Sequence, residues 1–214
     1  PVRTTVRYVA PFGPQLEALA RVTSYAGLDL TFVQATAKGR VPEQNAWANP
    51  NPPLFQALAW DWRVPANLAG HSYAFGGEGG AVYAGVIEGR HELYQRGEAV
   101  FGPDRAQFQR FDLAYRGVGE GARAPGWLET PAVSVLVRHF WEQYPKALTV
   151  DPAGLTLSLH PRAYSEEPKN TANRDPRFKT FYFKRGGAAK TYDVLFKPGP
   201  GIRAYAELFR DPPR

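Results

Sequence analysis

The sequence predicts an all-β protein, a large antiparallel β-sandwich of the supersandwich kind with long loops and one short helix at its C-terminal end. Three observations carry this. The 21 glycines and 20 prolines among 214 residues interrupt the chain too often for long helices. Apolar residues alternate over short runs, the period of half-buried strands. Aromatics reach 14% and apolar residues 43%, enough to fill a core between two sheets.

Taken in order, residues 2–10 alternate with Val2, Thr4, Val6 and Tyr8 on one face. Two apolar runs, 16–25 and 28–37, follow across Ala26-Gly27, which reads as a tight hairpin. Residues 39–53 hold four prolines and no period, so a long loop carrying Trp47 is expected there. Residues 54–64 bring Phe55, Leu58, Trp60 and Trp62 as one further strand. The stretch 70–80 is glycine-rich, but it lacks the Lys-Ser/Thr ending of a phosphate loop. Short strands are then expected at 81–87, 92–95 and 107–115, at 132–139, and at 154–159 after the turn Asp151-Pro152-Ala153-Gly154. Residues 163–175 are polar and read as a loop. A hairpin is predicted from 178–183 and 188–196, joined near Lys184-Arg185-Gly186-Gly187, and a helix over 202–209 after Gly199-Pro200-Gly201.

Composition removes several function classes. With no cysteine there is no disulfide and no thiolate metal site. His71, His91, His139 and His160 are scattered without metal-ligand spacing, and no G-x-S-x-G elbow or acidic calcium loop occurs, so neither metal nor cofactor is expected. No apolar run reaches the roughly 18 residues of a membrane span. The chain starts at Pro1 without methionine, which reads as a mature fragment or an excised domain. One sandwich domain over residues 1–214 is expected, the middle piece of a larger multidomain protein.

The net charge of +6 is unevenly placed. Residues 1–150 carry 14 basic and 13 acidic side chains, whereas residues 169–197 carry eight basic against Asp175 and Asp193. A local basic field favours anionic partners (acidic polysaccharide, nucleic acid or a membrane surface), or the segment is simply a solvated basic loop. Nucleic acid is not expected, because the segment matches no recognised aromatic-basic binding motif.

Chemistry concentrates after Val137, where Arg138, His139, Trp141, Glu142, Tyr144 and Lys146 fall within nine residues. An acid, a phenol and cations together can neutralise a substrate carboxylate and move a proton. If the strand runs through 139, Arg138 and His139 point to opposite faces and at most one reaches a common site. The plainer alternative has Glu142 pairing with Lys146 while Trp141 fills the core. Lys190 and Tyr192 share a face with Val194 and Phe196, and either grip an acidic sugar or form a cross-strand polar pair. The catalytic candidates are thus Arg138, His139, Tyr144, Lys146, Lys190 and Tyr192, and the ligand-binding candidates Trp47, Trp141, Glu142 and Lys190.

These residues also carry a resemblance. Gly121-Ala122-Arg123-Ala124-Pro125-Gly126-Trp127, the run Val137 to Lys146, and Gly154-Leu155 with Leu157, Leu159 and Pro161 are similar to the central β-sandwich domain of exo-rhamnogalacturonan lyase-like proteins. Tyr115 to Val118, Gly187 to Thr191, the opening Pro1-Val2-Arg3 and Arg21 with Tyr25-Ala26-Gly27 extend the likeness over roughly residues 1–210. The resemblance implies a flanking small barrel and an α/α toroid, an extracellular or periplasmic location, and work on acidic, rhamnogalacturonan-type glycans. It further implies a piece that binds sugar or forms a shared cleft and does not cleave alone. In a uronate lyase, Arg138, Lys146 or Lys190 would offset the substrate carboxylate, and Tyr144, His139 or Tyr192 would take the proton. The alternatives are a non-catalytic glycan-binding module and an extracellular fibre or assembly subunit that self-associates through sheet edges.

Overall fold

The computed structural model describes residues 3–12, 16–25, 27–39, 54–55, 60–101, 107–115, 118–120, 123–143, 146–160, 181–182 and 189–210. The strands are β1 (Arg3–Phe12), β2 (Leu16–Tyr25), β3 (Thr31–Gly39), β4 (Leu54–Phe55), β5 (Trp60–Pro65), β6 (Ser72–Gly76), β7 (Val82–Val86) and β8 (His91–Phe101). After them come β9 (Gln107–Tyr115), β10 (Val118–Glu120), β11 (Trp127–Glu129), β12 (Val133–Val137), β13 (Lys146–Asp151), β14 (Gly154–His160), β15 (Phe181–Tyr182) and β16 (Ala189–Pro198). A 3₁₀ turn over Ile202–Tyr205 and the short helix α1 (Ala206–Arg210) follow β16.

An eight-stranded sheet runs in the order β1-β2-β3-β16-β12-β11-β6-β7, and a six-stranded sheet in the order β10-β9-β8-β13-β14-β5. Strands β15 and β4 form a separate ribbon. The protein is all-β and antiparallel, with a short C-terminal helix, as its turn density and alternation predict.

Alternation explains how the sheets meet. Val33, Ala35, Val135, Val137, Tyr192 and Val194 of the large sheet face Leu93, Leu148, Val150, Leu155 and Leu157 of the small one across a shared core. Odd and even residues part company here: Leu136 and Leu195, next to core residues on their strands, point to the outer face. There Trp127 and Phe32 receive Ile202, Tyr205 and Phe209, so the C-terminal segment caps the outer face of the large sheet. Full burial of Ile202 contributes about 1.5–3 kcal/mol, and with the partly buried Tyr205 and Phe209 it anchors a helix too short to be stable alone.

Several sequence expectations change. Residues 54–64 form two elements, since β4 pairs with β15 while β5 adds to the small sheet beside β14. Among the described residues, the hairpin expected between 178–183 and 188–196 is not formed: β15 pairs with β4, and β16 pairs with β3 and β12, far apart in sequence. Long-range pairing wins because β16 buries both Tyr192-Val194 and Leu195 only at the centre of the large sheet. Strand β8 is longer than the expected 92–95 segment, and β13 is a full strand of the small sheet that alternation around Lys146 had hidden. Of the loop expected at 39–53, Gly39 ends β3 and the remainder with Trp47 lies outside the described residues, as do the loop at 163–175 and Tyr144.

Candidate functional site

Two polar regions flank the strand-to-turn junction after β12. The first is built by the turn itself. The strand stops at Val137, and His139 takes a left-handed backbone with φ of 51°. The backbone N–H of Gln143 then donates to the His139 carbonyl at 3.0 Å, closing the turn. Because the chain is not extended there, the expectation that Arg138 and His139 diverge is overturned. Arg138 reaches Asp193 of β16 at 3.4 Å and the Arg210 carbonyl at 3.3 Å. His139 Nδ1 lies 3.7 Å from Glu142, whose carboxylate also meets Arg210 at 3.6 Å. Arg138, His139 and Glu142 thus join one charge cluster, tied to the C-terminal helix. Glu142 contacts these partners and not Lys146.

Beside this cluster opens a cleft of about 670 Å³. Its walls are the Gly77–Gly80 turn, Arg123 with Trp141, and Arg203, Glu207 and Arg210 of the C-terminal segment. Trp141 is half-buried and does not fill the core; the Arg123 guanidinium lies 4.5 Å from its ring centroid. A guanidinium stacks its flat face on an aromatic ring in this way. Local sequence sets the walls. Gly126, with φ of +87°, brings the chain against Phe140 where any side chain would collide, and so aims Trp127 outward. On the opposite wall, the Glu129 carboxylate accepts the N–H groups of Gly201 at 2.9 Å and Arg203 at 3.0 Å, fixing the start of the helical segment. Sequence reasoning missed Arg123, Arg203 and Arg210, because their convergence depends on the C-terminal segment folding back over the large sheet. The Glu129 spacing to a Gly-Pro-Gly breaker gave no local signal.

The second region lies between the sheets. Lys146 opens β13 on the core-facing side and is 0% exposed. Its ammonium donates to the Gln143 carbonyl and sits 4.6 Å from the Tyr192 ring centroid. Lys190 approaches the same ring at 5.2 Å, and Trp60 packs edge-on to it at 6.2 Å. The structure therefore brings together Lys146, Lys190 and Tyr192, which the sequence separates by more than forty residues. Burial is the main cause holding Lys146 well below the usual lysine range; the Lys190 charge adds to that and Glu142 opposes it. Burial also lowers Lys190 to about 8 and raises the Tyr192 phenol. The magnitudes decide the outcome. A cation–π contact returns about 2 kcal/mol when desolvated, whereas stripping water from an ammonium costs several, so burial prevails.

Among the described residues, no three His, Asp or Glu side chains gather as a metal site, and no helix is long and apolar enough to cross a membrane. No protein-family model matches the chain, and no curated protein matches it.

Proposed function

We propose that this chain is a carbohydrate-associated β-sandwich that holds an acidic, rhamnogalacturonan-type glycan in the cleft under the C-terminal segment, as a binding or cleft-forming part of a polysaccharide lyase-like protein. An extracellular or periplasmic setting goes with that reading. The observation that carries it is the Arg123–Trp141 pair, a charged donor edge fixed beside an indole at the wall of an open cleft. Arg203 and Arg210 line the same cleft, and with Arg123 the three arginines outnumber its two acids, Glu78 and Glu207, which suits a ligand bearing carboxylates. Among the described residues, the candidates the sequence offered for charge neutralisation and proton abstraction are not gathered in its walls. Lys146 and Tyr192 lie in the core, so cleavage by this piece alone is not expected.

Calorimetric titration with rhamnogalacturonan oligosaccharides tests this reading. Binding is expected, weakened about tenfold or more in Trp141→Ala, equivalent to about 1.4 kcal/mol. Absorbance of an unsaturated product is expected to stay flat. Equal affinity for a neutral dextran would remove the acidic-glycan reading.

One observation favours an assembly role as a second reading. All described side chains of β1 from Arg3 to Pro11 are exposed, Tyr8 at 59% and Val6 at 44%, at the edge of the large sheet. Such an edge is a template for pairing with a second copy. A strict monomer in sedimentation at high concentration would exclude it.

A further inference from the structure

We infer that the outer face of β1 and β2, which gives no residue to the cleft, is a second docking surface whose occupant is a uronate-bearing polysaccharide chain. The ligand class is that proposed for the cleft, and none of the cleft's residues takes part. Register sets three rungs side by side there: Arg3 opposite Tyr25, Thr5 opposite Thr23, and Arg7 opposite Arg21. Ala18 and Val22 of β2 join the core, so the odd-numbered side chains point outward. The three arginines are exposed, and among the described residues none of them makes an ion pair. The row running on from Arg21 through Gln34 reaches Asp193, but that carboxylate is taken: Gln34 donates to it at 3.3 Å and Arg138 at 3.4 Å. The apolar cluster under the C-terminal segment includes Phe32 of β3 and no residue of β1 or β2, so Arg7 and Arg21 stay open to solvent.

Like charges directly opposite one another on a sheet cost stability. Protection of a sheet edge accounts for a charge on β1, but not for a second one facing it from the inner strand. An anion seated between the two guanidiniums relieves the repulsion. Adjacent strands lie about 4.8 Å apart, and Arg3 and Arg7 are about 14 Å apart along β1. The pair therefore converges on one carboxylate, which a guanidinium meets with two parallel N–H bonds, and Arg3 meets another farther along the same chain. The Thr5 and Thr23 hydroxyls, 3.1 Å apart, lie between and suit the neutral hydroxyls of a sugar chain. Tyr25 is the one aromatic on these rungs, too few for the stacked bases of a single-stranded nucleic acid.

The test titrates the intact chain with oligogalacturonides by calorimetry, in wild type, Trp141→Ala, Arg7→Gln/Arg21→Gln and the charge-keeping Arg7→Lys/Arg21→Lys. Wild type is expected to show two sites. Trp141→Ala weakens one, and Arg7→Gln/Arg21→Gln weakens the other about tenfold or more. Arg7→Lys/Arg21→Lys is expected to retain most of that second site. Relief of the repulsion is expected to leave Arg7→Gln/Arg21→Gln at least as stable as wild type in thermal melts. Wild-type affinity at both sites in Arg7→Gln/Arg21→Gln overturns the inference and leaves the cleft reading standing. A single site, lost in the arginine variant and unchanged in Trp141→Ala, upholds the inference and counts against the cleft. Tighter binding of phosphatidylserine vesicles or of a single-stranded oligonucleotide than of oligogalacturonide, lost in the same arginine variant, overturns the assigned occupant.

Discussion

Lys146 and Arg123 make the same contact with opposite consequences. Each rests on an aromatic ring, Lys146 at 4.6 Å from Tyr192 and Arg123 at 4.5 Å from Trp141. Arg123 does so at an exposed cleft wall, where water still reaches the guanidinium. Lys146 does so between two sheets, where the ring replaces only part of the hydration that is lost. The lesson is that solvent access, more than the contact itself, decides whether a cation on a ring is stabilising. The exposed pair keeps much of its hydration, whereas the buried one has lost it.

The largest way to break the comparison is to remove the buried ring. Tyr192 is 3% exposed and bridges Trp60 and both lysines, so Tyr192→Ala is expected to destabilise by about 3–5 kcal/mol in chemical denaturation. Trp141→Ala at the cleft is expected to stay within about 1 kcal/mol of wild type by the same measurement, since partly exposed sites lose little. Next comes the buried cation. Lys146→Met is expected to raise stability by about 1–4 kcal/mol, as replacing a buried charge by an apolar side chain of like length does elsewhere. A loss of stability in that variant would mean that the ammonium is better compensated than its contacts indicate.

The pH dependence sharpens the same point, and its sign follows from proton counting. Lys190 is lowered to about 8 in the fold against 10.5 unfolded, so between those values the unfolded chain binds more protons. Stability therefore rises with pH from about 8 upward, by at most about 3 kcal/mol. Lys146, shifted in the same direction, adds to the rise. Above pH 10, Tyr192 acts the other way, because its phenol keeps its proton in the fold after the unfolded tyrosine has lost it. Thermal melts across pH 7–10 should show the rise in wild type and a shallower one in Lys190→Met.

The smallest effect belongs to the cleft's support. Glu129→Ala is expected to cost about 1 kcal/mol, the usual value for losing a carboxylate on helix-start N–H groups. It should also weaken glycan binding, by freeing the wall that carries Arg203 and Arg210. Unchanged affinity in that variant would detach the C-terminal segment from the binding reading.

Particular residues show how far the sequence could be read. Strands β1 and β2 and the C-terminal helical segment were legible, because local alternation and the Gly-Pro-Gly breaker act within a few residues. The shared face of Lys190, Tyr192 and Val194 was legible for the same reason. Strand β13 was not, because a lysine at its core-facing start breaks the apolar pattern that marks a strand. The pairing of β16 with β3 and β12 was not legible either, since nothing in its own residues names partners more than fifty residues away.

What the sequence determined by itself is the class: alternation, turn residues and the lack of helical periodicity leave an antiparallel β protein as the way to bury this much apolar surface. The tertiary structure alone decided the sites. It set Lys146 beside Tyr192 from opposite sheets, and it brought Arg123, Arg203 and Arg210 around one cleft. The physical reason is range. Propensity and periodicity act along the chain, whereas desolvation and charge act through space, on neighbours that only the packed sheets supply.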